Sequence, residues 1–177
     1  ATILEGGVTE LLNLNPSSGT SNSAYSIAVT DASVDSASLT TIIAKTTLVV
    51  IATEITTLTG TASQIADAIS SSGVSLTAGV GVVVDAGVVE ASDLNTIDSN
   101  TTATVDASAV TEITGTAAAI ATAMGSTGIT DAADVGVTVD AGSVAAADLN
   151  TIDGKTTAAV NASAVTEITG TASAAAS

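Results

Sequence analysis

The hexapeptide Asp93-Leu94-Asn95-Thr96-Ile97-Asp98 returns unchanged as Asp148-Leu149-Asn150-Thr151-Ile152-Asp153, and the offset, 148 − 93, is 55. The octapeptide Val110–Ala117 returns at Val165–Ala172 with the same offset, and laying 83–117 on 138–172 gives 27 identities in 35 positions. An upstream copy keeps the register through Leu39-Thr40-Thr41-Ile42, Thr46-Thr47 and Gly60-Thr61-Ala62, and then from Thr61 to Val82. Self-similarity at one fixed period restricts the fold. A short unit cannot bury its own apolar face, so each copy must rest on the next. The repeats divide the chain into copies at 28–82, 83–137 and a partial 138–177, preceded by 1–27, which fits the unit less well.

Within a copy there is a weaker echo: Val84-Asp85-Ala86-Gly87-Val88-Val89 resembles Val105-Asp106-Ala107-Ser108-Ala109-Val110, at an offset of 105 − 84, or 21. The unit therefore reads as coils of roughly 21 and 34 residues, each a Val-rich strand that turns at Asp-Ala-Gly or Asp-Ala-Ser and leads into a short helical segment. The expected fold is a β-rich repeat solenoid with short helices, a β or α/β solenoid with a repeat of about 55 residues. The clearest helix is Ala117–Met124, with Thr116 as N-cap, an alanine-rich interior and Gly125 as stop. Asp93–Ile97 and Asp131–Val135 read as a turn or two, Asp93 and Asp148 being candidate N-caps. Stacking would place Leu39, Leu94 and Leu149 in one interior row, Ile42, Ile97 and Ile152 in another, and the pairs Thr46-Thr47, Thr101-Thr102 and Thr156-Thr157 at corners.

Composition narrows the chemistry. Hydrophobic residues make up 46% of the chain but aromatics only 1%, with Tyr25 the single ring, so the interior must be thin and aliphatic. The absence of His and Cys removes the usual base near neutral pH, thiol nucleophiles, imidazole or thiolate metal sites and disulfides. Two Lys plus Arg against 18 Asp plus Glu give a net charge of −16, which excludes neutralising a run of phosphates and disfavours nucleic acid and anionic membranes as partners. A mean hydropathy of +0.59 argues for folding rather than disorder. No apolar run approaches the roughly 20 residues of a membrane span.

Residues 1–27 hold the only proline, Pro16, an echo of the unit at Val8-Thr9-Glu10-Leu11, and a loop-like stretch from Asn13 to Thr20. They read as a cap, a linker or a docking arm. The last copy stops part-way through at Ser177 without a polar closing element, so its edge is expected to meet further chain or another subunit.

The acids recur with the unit: Asp85 and Asp140, Asp93 and Asp148, Asp98 and Asp153, Glu112 and Glu167. Stacked like charges repel, with only Lys45 and Lys155 to offset them. Calcium, which takes 6–8 oxygen ligands, is the candidate counter-ion, and Asp93, Asn95 and Asp98 with Asp148, Asn150 and Asp153 are the candidate ligands. The competing assignment of these residues is a solvated face or helix caps. Asn100 replaces the lysine in the middle copy, which counts against a catalytic lysine, and no glycine-rich phosphate loop with its lysine is found. Asn100-Thr101-Thr102 and Asn161-Ala162-Ser163 fit the glycosylation pattern without recurring in the other copies. A carboxylate hydrolase would want paired acids in a cleft, usually with rings to hold a sugar, and the rings are missing.

The Thr-Gly-Thr-Ala-Ala-x-Ile element at 114–120, the Ala-Asp-Leu-Asn-Thr-Ile-Asp-Gly-Lys-Thr-Thr tract at 147–157 and the Val-Asp-Ala turns resemble the repeat tracts of very large secreted bacterial surface proteins, adhesin-like or surface-layer-like chains of cyanobacteria and proteobacteria. The resemblance covers about 28–177. It implies an extracellular or cell-surface spacer, coat, fibre or stalk, with no catalytic residues to carry over. The leading expectation is a non-enzymatic structural protein that self-assembles end to end into a filament or layer. The alternative is an adhesin or calcium-stabilised binding stalk. An ice-binding face is disfavoured, since it needs a Thr pair on nearly every coil and Thr101-Thr102 recurs only once per copy.

Overall fold

In the computed structural model of this chain the described residues are 3–14 and 24–171. Most of the expected Asn13–Thr20 loop, Pro16 included, lies outside them. The first described elements are β1 (Ile3–Gly6) and α1 (Val8–Leu12). One order of elements then recurs: strand, corner, strand, helix. It gives β2 (Ser26–Val29), β3 (Ser33–Asp35) and α2 (Ser36–Ile43), followed by β4 (Val50–Ile51), β5 (Thr57–Gly60) and α3 (Ala62–Ile69). After β6 (Val74–Ser75) come β7 (Gly81–Val84), β8 (Gly87–Glu90) and α4 (Ala91–Asn100), then β9 (Val105–Ala107), β10 (Val110–Gly115) and α5 (Ala117–Gly125). After β11 (Ile129–Asp131) come β12 (Gly136–Val139), β13 (Gly142–Ala145) and α6 (Ala146–Asp153), and the last described strands are β14 (Val160–Asn161) and β15 (Val165–Thr169).

The architecture is mixed α/β, with parallel sheets and short helices. The sheets run β1-β2-β4-β6, β3-β5-β7-β9-β11, β8-β10-β12-β14 and β13-β15. Paired residues commonly lie 23 or 24 positions apart: Val82 faces Val105, and Ile113 faces Val137. The echo at an offset of 21 is thus not the distance at which these backbones pair, and the expected division into two unequal coils does not describe the ladders. The echo misleads because it aligns a corner with a strand: Asp85 follows β7, whereas Asp106 lies within β9.

A second feature follows from the segments 85–90 and 140–145. Each adds a strand, β8 or β13, between a corner and a helix. β5 consequently pairs with β7 rather than β8, and β10 with β12 rather than β13, so that β8 and β13 each begin a new sheet. The helices, in contrast, contact one another in unbroken chain order from α1 to α6.

Side chains of one kind occupy matching interior places. Ile27, Val82 and Val137 are buried, as are Val29, Val84 and Val139, and Ile42, Ile97 and Ile152. Each such residue contributes about 1.5–3 kcal/mol by leaving water. Small aliphatic shapes suit a narrow interior between short helices and short strands.

The corner threonines have a more specific role than row-filling. Thr46, Thr101 and Thr156 are buried and donate their hydroxyls to the carbonyls of Tyr25, Val80 and Val135 at 2.7, 2.6 and 2.7 Å. The same oxygens accept from the amides of Leu48, Ala103 and Ala158 at 3.1, 3.0 and 3.0 Å. Each hydroxyl thus ties a post-helix loop to the backbone of the preceding circuit, satisfying polar groups that the interior would otherwise leave unpaired.

Local chemistry sets the helix starts. Thr61 and Thr116 are N-caps, their hydroxyls accepting from Gln64 and Ala119 amides. The glycine before each is required: Gly115 has φ of 134°, which only glycine adopts freely, and its carbonyl accepts from the Asp140 amide of the next layer at 2.8 Å. α5 matches the helix expected from Thr116 to Gly125, its C-cap falling on Ser126. Two expectations are corrected. α4 is ten residues long and begins directly from β8, so Glu90 and Ala145 occupy the N-cap places of α4 and α6, while Asp93 and Asp148 fall in the first helical turns. Asp131–Val135 is not helical: β11 ends at Asp131 and a turn follows, closed by the Val135 amide on the Ala132 carbonyl at 3.1 Å.

Thr101→Val, which keeps shape and removes the hydroxyl, is expected to cost about 1–3 kcal/mol because the Val80 carbonyl and Ala103 amide lose their partner. Gly115→Ala should cost a similar amount through backbone strain, about 1–3 kcal/mol. Thermal unfolding followed by circular dichroism checks both, with the exposed Val88→Thr as the near-neutral reference.

Candidate functional site

The carboxylates are dispersed rather than gathered. In these described strand pairs the residue opposite an acid is neutral: Glu90 faces Thr114, Glu112 faces Val88 and Gly136, Asp106 faces Val83 and Thr130, and Glu167 faces Ser143. The Thr114 and Thr138 hydroxyls donate to Glu90 and Glu112 at 2.9 and 2.6 Å, which turns potential repulsion into a polar ladder on the outer face. Equivalent acids of successive copies do not face one another: Glu112 on β10 and Glu167 on β15 belong to different sheets, and Asp93 and Asp148 lie on α4 and α6 with α5 between them.

Of the six candidate calcium ligands, Asp93, Asn95 and Asp98 lie on α4, and Asp148, Asn150 and Asp153 on α6, with α5 packed against both helices. The structure does not bring the two trios together. Within a helix, successive residues turn by about 100°, so Asn95 and Asp98, three apart, share one face, as do Asn150 and Asp153, while Asp93 and Asp148 are turned away from those faces. The side chains have other partners: Asn95 donates its amide to the Ala119 carbonyl of α5 at 3.0 Å, and Asp98 accepts from the Ser126 hydroxyl at 2.8 Å. Among the described residues no group of three or more acidic side chains is placed to hold a metal ion.

Three carboxyls have distinct environments. Burial pushes Asp93 upward, and the neighbouring charges of Glu90 and Asp67 push it further. Burial also raises Asp131, whose Oδ2 has no hydrogen-bond partner among the described residues, although its own backbone amide and the Lys155 charge oppose the rise. Asp106 is lowered by two bonds from Ser108. Lys45 donates to the Leu14 carbonyl at 2.9 Å and thereby ties the end of α2 to the N-terminal segment. The two glycosylation-like asparagines are engaged locally, Asn100 with the Thr96 carbonyl and Asn161 with Ser163.

Two concavities stand out among the described residues. One of about 120 Å³ sits between the start of α5 and the β12–β13 corner, lined by Thr116, Ala117, Asp140, Ser143 and Asp148. That volume admits a few waters, well below the ~300 Å³ of ordinary ligand pockets. The other, about 320 Å³, is an open dent between the β9–β10 corner and the turn after β11, lined by Ser108, Val110, Thr111, Asp134 and Val135. Its Ser108 hydroxyl donates at 2.6 Å to Asp106, which lies outside the dent's lining.

The feature that departs most from the rest of the molecule is its C-terminal edge. Leu58, Ile113 and Ile168 are equivalent places in the three copies. Leu58 lies between Val34 and Val82, and Ile113 between Val89 and Val137, and their exposures are 0% and 1%. Among the described residues Ile168 pairs with Val144 on one side alone, and it is 57% exposed. The same change affects its neighbours: Val105 and Leu94 are fully buried, whereas Val160 and Leu149 are only partly so. Sequence reasoning did not name Ile168; its offset of 55 from Ile113 was the available signal.

No family model, curated protein or solved structure matches this chain.

The Asp93 environment yields a signed pH prediction. A carboxyl raised in the fold binds its proton more tightly there than in the unfolded chain. It therefore favours the fold below its ordinary value of 3.8, and that contribution is lost as pH rises through the raised value. Asp93→Asn is expected to raise the melting temperature relative to the parent at pH 7 and to lose most of that advantage at pH 3, measured by calorimetry across the range.

Proposed function

We propose that this chain is a structural element of an extracellular or cell-surface filament or layer, an α/β solenoid whose repeated units extend by end-to-end contact. The observation that carries this reading is the near-identity of the units, 27 identities in 35 positions between 83–117 and 138–172, combined with parallel pairing of residues 23 or 24 apart. The parallel ladders add support, because parallel pairing has polarity and so favours head-to-tail extension, which generates open fibres. The chemistry of the surface agrees: acidic, aliphatic within, free of His and Cys, and without a helix among the described residues long and apolar enough to cross a membrane. The extracellular setting rests on the likeness of the 114–120 and 147–157 elements to repeat tracts of secreted bacterial surface proteins.

The net charge of −16 opposes assembly at low ionic strength. Light scattering should therefore show mass growing with protein concentration and with sodium chloride, and negative-stain electron microscopy of the high-salt sample should show filaments or sheets. A monodisperse monomer at high concentration in high salt, with or without calcium, refutes the proposal.

A further inference from the structure

The turn that follows β11 has a counterpart one copy earlier, after β6. Residues 131–135 and 76–80 share one hydrogen-bond scheme. The Val135 amide reaches the Ala132 carbonyl at 3.1 Å and the Val80 amide the Thr77 carbonyl at 3.2 Å, while the Thr157 and Thr102 amides of the following loops donate to the Ala133 and Ala78 carbonyls at 2.8 and 2.7 Å. The Thr156 and Thr101 hydroxyls complete the two joins on Val135 and Val80. The side chains differ where the backbones agree. Leu76, partly buried against the aliphatic interior, becomes Asp131, and Asn100, at the end of α4, becomes Lys155, just beyond the end of α6.

A carboxyl thus stands where the earlier copy packs a leucine. Asp131 Oδ2 is closed to solvent and accepts no hydrogen bond among the described residues, so no such bond joins it to Lys155. Ionised, the group leaves a desolvated oxygen unpaired; protonated, it is neutral and closer in character to the leucine it replaces. Burial accordingly raises its affinity for the proton, against the opposing effects of its own backbone amide and of the Lys155 charge. The acids on the surrounding elements are engaged or solvated: Asp106 on β9 accepts from Ser108, Asp98 on α4 accepts from Ser126, and Asp134 in the turn and Asp153 on α6 are exposed. Lys155 is the charged side chain that acts on Asp131. The turn also has room to move, since Ala132, Asp134 and Val135 border the open dent of about 320 Å³.

We infer that Asp131 is a proton-operated latch on this turn. With its proton the side chain keeps the place that Leu76 fills in the earlier copy, and the turn stays joined to the following loop. Without it the carboxylate moves out toward Lys155, and the join between Thr157 and Ala133 loosens. A carboxyl raised in the closed turn favours closure below its ordinary value of 3.8, and that contribution is lost as pH rises through the raised value. Of two equivalent joins between layers, one therefore responds to pH and the other does not. The latch belongs to the single chain and stands whether or not the chain assembles.

Amide exchange of the full chain, followed by NMR at pH 3 and pH 6 with each rate divided by the intrinsic rate at that pH, reads the two joins side by side. The protection of Thr157 relative to Thr102 is expected to fall by about fivefold or more between the two conditions, the factor that corresponds to one buried acceptor left unpaired. Asp131→Leu and Asp131→Asn should each remove the dependence, Lys155→Asn should move it to higher pH, and Asp134→Asn, altering an exposed acid of the same turn, should leave it unchanged. Circular dichroism melts establish that the variants are folded, and Asp131→Asn, which keeps the size of the side chain, carries the test if Asp131→Leu is not. A ratio in the parent that does not change with pH, or a dependence that survives Asp131→Asn, overturns the latch.

Discussion

Parallel backbone pairing between positions 23 or 24 apart in the chain is the constraint on which the rest depends. It forces residues about one circuit apart to stand side by side, so the interior is written as rows rather than as a centre. A row of this kind needs side chains that pack on their own kind at strand spacing. Valine, isoleucine and leucine do so, whereas a ring in every layer would overfill the gap between a short helix and a narrow strand. The near-absence of aromatics is the compositional imprint of that geometry.

The same constraint governs polar groups. Corners and post-helix loops carry backbone amides and carbonyls that no sheet partner reaches. The buried hydroxyls of Thr46, Thr101 and Thr156 serve them by donating across to the preceding layer and accepting within their own loop. Acids are tolerated for a related reason. The unit is longer than two pairing distances, so equivalent carboxylates do not fall opposite one another, and neutral residues face the acids across the ladders. A chain of charge −16 can stack in this way because its repeat length and its pairing distance differ.

Much of this was legible in the sequence and some was not. The α/β character, the contact between successive short elements, the Thr116-capped helix and the interior placement of Ile42, Ile97 and Ile152 follow from the repeat and from local propensity, whereas the parallel direction of the strands does not. The pairing distance was missed because the shorter echo is a similarity of residue type, Val-Asp-Ala, occurring once at a corner and once inside a strand. The length of α4 was missed because Ser92, Asp93, Asn95 and Thr96 are poor helix formers individually, and packing of Ala91, Leu94 and Ile97 on the interior overrides them. The calcium trio on α4 looked compact along the chain, but the helix turns Asp93 away from Asn95 and Asp98, and those two have partners on neighbouring segments. Nothing in the residue pattern specified which way those side chains would face.

The way the sheets end bears on why one edge differs from the others. Each time β8 or β13 starts a new sheet, an older sheet must stop, and it stops on a short strand: two residues in β6 and three in β11. Short strands expose few unpaired backbone groups, which is one of the ordinary ways in which an edge is kept from recruiting strangers. β15 runs for five residues, with Ile168 exposed and Gly170 already in the conformation that precedes a paired layer. Edges at which a sheet stops inside the molecule are brief, and this one is long. The contrast is internal to one chain and therefore independent of composition: where β8 and β13 open new sheets, the older sheets close on strands too short to offer a long row of unpaired backbone groups.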